Sequence, residues 1–98
     1  MKNILVTGGA GFIGSHTCLL LLKKGYEVNV IDSFVNSSPK SLEKILDICK
    51  FENINAPKLK IYKGDLRDKQ FLEDVFFDFY KNNKKLDGIL HFAGLKSV

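Results

Sequence analysis

The chain has no tryptophan, one methionine, two prolines, two cysteines and two histidines among 98 residues. Each scarcity excludes a class of protein. Cys18 and Cys49 are too few for the disulfide framework of a small secreted domain and stand at no metal-ligand spacing, so both are expected to be buried thiols and no metal site is expected. Arginine occurs only as Arg67, and the net charge of +4 comes from lysines spread over the chain rather than from a basic block. Such a surface suits anionic small ligands better than a nucleic-acid groove. The longest apolar run, Cys18 to Leu22, is far short of the ~20 residues needed to span a bilayer. The apolar stretch after Met1-Lys2 ends at Thr7 against glycines, which does not fit a signal peptide, so the cytoplasm is the expected location and no membrane partner is expected.

Glycine, by contrast, is concentrated. Gly8, Gly9, Gly11 and Gly14 follow the apolar run Ile4-Leu5-Val6 and precede a second apolar segment, Ile13 to Leu22. The order is strand, glycine turn, helix. Both Gly8-x-x-Gly11-x-x-Gly14 and Gly9-x-Gly11-x-x-Gly14 can be read, sharing Gly11 and Gly14. A turn this tight needs backbone free of β-carbons, and a diphosphate approaching the first helical turn needs the same bare surface. The unpaired N–H groups there, with the positive end of the helix dipole, can hold an anion. A strand, Glu27 to Ile31, then ends at Asp32, about 20 residues past the glycines, where a carboxylate meets the hydroxyls of an adenosine ribose. Strand, turn, helix, strand and acid together point to dinucleotide binding; glycines serving packing alone are the plainer alternative.

The rest of the chain repeats the alternation. Strand one is expected over Asn3–Thr7, buried on both faces, and helix one over about Phe12–Lys24, with Gly25 just past its end and Ile13, Thr17, Leu20 and Leu21 at helical spacing. Ser38-Pro39 forms the start of helix two, which runs to about Lys50 with Leu42, Ile45, Leu46 and Cys49 inward. A polar connection, Phe51 to Lys58, leads to strand three at Leu59 to Tyr62 or Lys63, closed by Gly64-Asp65. Asp68 can cap helix three, whose row Phe71, Leu72, Val75, Phe76 and Phe79 is core patterning. Strand four spans Asp87 to Phe92, with His91 a core histidine near its end, and Ala93-Gly94-Leu95-Lys96 is a loop. The fold class is α/β, a Rossmann-type parallel sheet of four strands in the order 3-2-1-4 with helices on both faces. The glycine turn, Asp32, Asp65-Leu66 and His91 to Lys96 would then share the rim at the carboxyl ends of the strands.

Two residues keep two readings on pattern alone. Gly64-Asp65 is equally turn chemistry or a ligand contact, and Lys96 is a solvated loop lysine or a cation reaching a ligand from the rim. One match is rejected. Tyr80-x-x-x-Lys84 has the spacing of a short-chain dehydrogenase catalytic pair, but it precedes strand four, so at about 3.3 Å per residue it stands on the order of 15 Å from the carboxyl rim.

Four stretches carry a resemblance: Val6 to Thr17, Asp32 with Asn36-Ser37, Gly64-Asp65-Leu66-Arg67, and His91 to Val98. Together the chain resembles the N-terminal part of the UDP-glucose 4-epimerases, within the extended short-chain dehydrogenase/reductase family, and would be about the first third of such an enzyme. The resemblance implies that NAD is held along Gly8, Gly11, Phe12, Ile13 and Gly14, by Asp32 on the adenosine ribose, by the segment through Asn36 and Ser37, by Asp65 and Leu66 at the adenine, and by Phe92, Ala93, Gly94, Leu95 and Lys96 along the cofactor's middle and nicotinamide half. Ser33, Phe34 and Val35 depart from the commoner family pattern.

It further implies interconversion of UDP-glucose and UDP-galactose through a 4-keto intermediate, with a UDP-sugar as the partner and a homodimer possible for the intact enzyme. Neither the catalytic tyrosine and lysine nor a uridine-binding region is identifiable in residues 1–98, so the chain alone is expected to be an inactive, partial NAD-binding domain. A related sugar-nucleotide epimerase or dehydratase, and a non-catalytic dinucleotide sensor, share the same residues. An unpaired outer edge on strand four is expected to make this chain poorly stable or self-associating.

Overall fold

A computed structural model describes residues 2–35, 37–54 and 57–92. Its elements are β1 (Asn3–Thr7), α1 (Phe12–Lys23), β2 (Glu27–Asp32), α2 (Pro39–Phe51), β3 (Leu59–Lys63), α3 (Lys69–Lys81) and β4 (Gly88–His91). All three strand pairings are parallel, and the sheet order is β3-β2-β1-β4, as expected. Thr7 of β1 pairs with Ile31 of β2 and with His91 of β4, which brings the ends of the three strands to one level.

Alternation along the strands divides the core in two. One face presents Val6, Val28 and Val30 to Cys18 and Leu22 of α1 and to Leu42, Ile45 and Cys49 of α2. The other presents Leu5 and Ile31 to Val75 and Phe79 of α3. Helices therefore cover both faces, as a parallel sheet requires. The cysteines are free and buried, and burial pushes the Cys18 thiol up to about 12, which leaves it a packing group rather than a nucleophile.

The helix ends follow their residue types. Ser38 caps α2, its Oγ accepting from the Lys40 N–H at 3.2 Å with Pro39 at the first helical position. Asp68 caps α3 by accepting from the Phe71 N–H at 3.2 Å. Gly25, just past α1, has a φ of +84° and so takes the left-handed position expected there. Helix α1 ends one residue earlier than expected and α2 one later.

Three expectations about packing are corrected. In α1, Ile13 and Leu20 are 57% and 59% exposed, and the inward positions are Gly14, Cys18 and Leu22, one helical turn apart. The small residue at Gly14 lets the helix sit so close to the turn before it that this line, and not the bulkier one, meets the sheet. In α3, Phe76 is half exposed while Val75 and Phe79 are buried. Strand β4 differs too: Ile89 is 56% exposed, Leu90 37%, and His91 is exposed rather than a core histidine. The described helices lie over β1, β2 and β3 and leave the outer strand uncovered. The 98-residue chain by itself is accordingly expected to be poorly stable or to elute from a sizing column ahead of a monomer. A cooperative thermal transition of a monomeric species would contradict this.

Candidate functional site

The carboxyl rim is organised around Ala10, whose N–H and carbonyl belong to two successive peptides. Where β1 ends, Gly8 turns the chain with a φ of +72°, its N–H donating to the Ile31 carbonyl at 2.8 Å. The Gly11 N–H donates back to the Gly8 carbonyl at 3.2 Å, closing the turn. Gly14 then passes over that carbonyl so closely that a β-carbon would lie 2.2 Å from the Gly8 oxygen and 2.9 Å from the Gly9 Cα. The glycine spacing is thus a packing requirement of the turn, and it sets the first turn of α1 directly after it.

That first turn is left open. Among the described residues no side chain caps α1, whose N-cap is Gly11, whereas α2 and α3 each have a hydroxyl or carboxylate cap. The N–H groups of Phe12 and Ile13 precede the first intrahelical bond, made by the Ser15 N–H to the Gly11 carbonyl at 2.8 Å. Such a helix start favours an anion through both its free donors and its dipole. The Phe12 and Ile13 side chains point to solvent, leaving the backbone as their contribution.

Asp32 stands against the same turn. Its Oδ2 accepts from the Ala10 N–H at 2.9 Å, and its Oδ1 accepts from the Phe34 N–H at 2.8 Å and the Ser37 hydroxyl at 2.9 Å. A carboxylate offers about four acceptor sites, so the three donors among the described residues fix its orientation and leave capacity for a further hydroxyl. Phe34 has a φ of +60°, a conformation that costs a non-glycine residue about 1–3 kcal/mol. Its ring packs against the core beneath α1 and α2 while its N–H meets Asp32, and these contacts hold it there.

The other expected site residues divide. Asp65 is turned to its own turn: the Arg67 Nη2 donates to it at 2.8 Å and the Arg67 N–H at 2.8 Å. These bonds hold its carboxyl down at about 2. Leu66 packs against the cluster under α3. The Phe92 N–H donates to the Thr7 carbonyl at 2.8 Å, which seats Phe92 beside the glycine turn. The His91 Nδ1 shares a hydrogen bond of 2.6 Å with the Thr7 hydroxyl. Asn36, Ala93, Gly94, Leu95 and Lys96 lie outside the described residues. Tyr80 and Lys84 are at the opposite end of the sheet, with the Lys84 Nζ 2.5 Å from Glu27 at the start of β2.

Ala10, Phe34 and Ser41 were not anticipated. The Ser41 hydroxyl donates to the Ala10 carbonyl at 2.7 Å. A residue in the first turn of a capped helix is unremarkable in sequence, and only the placement of α2 beside the glycine turn creates the contact.

The model of the family described as GDP-mannose 4,6 dehydratase matches residues 5–98. The chain belongs to that family. Over its whole length it is 43% identical to the UDP-glucose 4-epimerase of Neisseria meningitidis, of which it covers 26%. The crystal structure of UDP-glucose 4-epimerase from Bifidobacterium longum, in complex with NAD+ and UDP, superposes with a TM-score of 0.79 at 44% identity, over 99% of this chain and 26% of that one. A dTDP-glucose 4,6-dehydratase from Bacillus anthracis, in complex with NAD, gives a TM-score of 0.72 at 28% identity, over 97% and 27% respectively. The chain thus spans about a quarter of the length of the relatives it matches. No helix of the described residues is long and apolar enough to cross a membrane.

Proposed function

We propose that residues 1–98 form the NAD-binding part of a cytoplasmic enzyme that interconverts UDP-glucose and UDP-galactose. One observation carries the reading: the Ala10 N–H bonded to Asp32 joins an uncapped helix start to a buried acid at one rim. The first suits a diphosphate and the second a ribose diol, and a dinucleotide presents both groups next to each other. Similarity to epimerases with NAD in their crystal structures supports the choice of cofactor.

In this reading the backbone at Gly8, Gly11, Phe12, Ile13 and Gly14 receives the diphosphate, and Asp32, Asn36 and Ser37 receive the adenosine ribose. Asp65 and Leu66 border the adenine, and Phe92 to Lys96 continue toward the nicotinamide. NAD when bound supplies the hydride acceptor for oxidation at the sugar C4. This chain's own residues bind and orient; none is assigned a proton transfer. A UDP-sugar is the substrate partner, with no nucleic acid or membrane involved, and the intact enzyme can be a homodimer.

The Asp32 charge repels a 2′-phosphate, and no arginine stands beside it, so the reading specifies NAD over NADP. Calorimetric titration is expected to give tighter binding of NAD than of NADP, with no turnover of UDP-galactose by the 98-residue chain alone. Equal or tighter NADP binding would contradict the assignment of Asp32. Because the family model carries a dehydratase description and a dTDP-glucose dehydratase superposes well, a second reading is a sugar-nucleotide 4,6-dehydratase. Assay of the intact enzyme with UDP-galactose and dTDP-glucose separates the two, since only the dehydratase releases a 4-keto-6-deoxy sugar.

A further inference from the structure

Ser41 lies in the first turn of α2, half-buried. Its single hydroxyl proton has two carbonyl acceptors within reach, Ala10 at 2.7 Å across to the glycine turn and Ser38 at 2.9 Å in its own helix, and the Ala10 contact is the shorter. The N–H of the same Ala10 residue donates to Asp32. Ala10 is thus gripped on both sides, by α2 through its carbonyl and by β2 through its N–H. Its carbonyl belongs to the peptide that leads into Gly11, the N-cap of α1, so the orientation of that peptide sets the direction of the free N–H groups after it. The Ala10 methyl packs into the core cluster and the Gly11 N–H of that peptide donates to the Gly8 carbonyl, but the glycines on either side of Ala10 add no side-chain packing, so the carbonyl's direction rests on its own hydrogen bond.

We propose that Ser41 is a positioning residue for the diphosphate turn: its hydroxyl holds the Ala10–Gly11 peptide, while Asp32 holds the Gly9–Ala10 peptide before it, so that the helix start is aligned beside the acid for one dinucleotide. This rests on the NAD-binding reading above. Ser41 itself touches no ligand. It acts by reducing the number of turn conformations that binding must select among.

The test compares NAD affinity in four variants. Loss of one such bond is expected to weaken NAD binding by about fivefold in Ser41→Ala, and Ser41→Thr, which keeps the hydroxyl, should restore binding to within about twofold of the parent. Ser41→Val, whose side chain has the shape of threonine without the hydroxyl, should bind like Ser41→Ala, and it carries the comparison with Ser41→Thr if Ser41→Ala is too poorly folded to titrate. Ser38→Ala removes the Ser38 cap and so weakens α2 without touching Ala10. It should lower thermal stability and leave affinity within about twofold. Parent-like affinity in both Ser41→Ala and Ser41→Val would overturn the proposal. So would Ser38→Ala losing as much affinity as Ser41→Ala, because helix stability would then explain both. A parent protein that binds no NAD would defeat the cofactor reading and this proposal with it, and is recognised from the parent titration alone.

Discussion

Replacing Gly14 by alanine is expected to cost the protein more stability than any other single methyl addition at the rim. The new β-carbon would stand 2.2 Å from the Gly8 oxygen and 2.9 Å from the Gly9 Cα, and both are backbone atoms that cannot rotate aside. Overpacking of well-filled sites costs about 1–3 kcal/mol, and a clash with backbone belongs at the top of that range. For a domain of this size about 3 kcal/mol corresponds to a fall in Tm on the order of 10–20 °C. Relief requires α1 to lift from the glycine turn, which misdirects the Phe12 and Ile13 N–H groups, so NAD affinity should fall by at least about tenfold.

Gly25→Ala supplies the comparison. Its β-carbon would meet nothing within 4 Å, and the cost is that of a left-handed alanine, about 1–2 kcal/mol, at the far end of α1. Stability should fall while NAD affinity is preserved. Equal loss of affinity in the two variants would mean that the turn geometry is not what binds the ligand.

Substitution of Asp32 by asparagine is expected to have the largest effect on binding. The carboxylate accepts from Ala10, Phe34 and Ser37, using both oxygens. An asparagine can place its carbonyl toward only one side, so its amide N–H₂ faces at least one backbone N–H and leaves that donor unpaired. Hydrogen bonds to a charged group are worth about 1.5–3 kcal/mol each, so the loss should approach about 3 kcal/mol in stability. With the orientation of the side chain and its charge both gone, NAD affinity should drop by about tenfold to a hundredfold, and NADP should bind nearly as well as NAD. Unchanged NAD affinity with the same preference over NADP would show that Asp32 serves the loop alone.

The fold was legible because alternation, caps and glycine position all agree: strand order, parallel pairing and the caps at Ser38 and Asp68 follow from local residue types. The corrections share a cause. Which line of α1 faces inward depends on how near Gly14 allows the helix to approach, a distance that hydrophobic spacing does not contain. Exposure of Ile89 and His91 likewise depends on what covers β4, not on the apolar character of Ile89-Leu90. At the site, the glycines and Asp32 announce themselves through spacing. Ser41 and Phe34 do not, since one acts through the approach of α2 to the turn and the other through a left-handed backbone normally associated with glycine or asparagine.

Hydrogen–deuterium exchange with and without saturating NAD tests the central claim most directly. NAD should slow exchange in the peptides covering Gly8 to Gly14 and Asp32 to Ser37 together, at the same half-saturating concentration, while the amino end of the sheet around Glu27 and Lys84 stays unchanged. Protection confined to other segments, or appearing in one of the two rim peptides without the other, would contradict a single dinucleotide held by the open start of α1 and the acid at the end of β2.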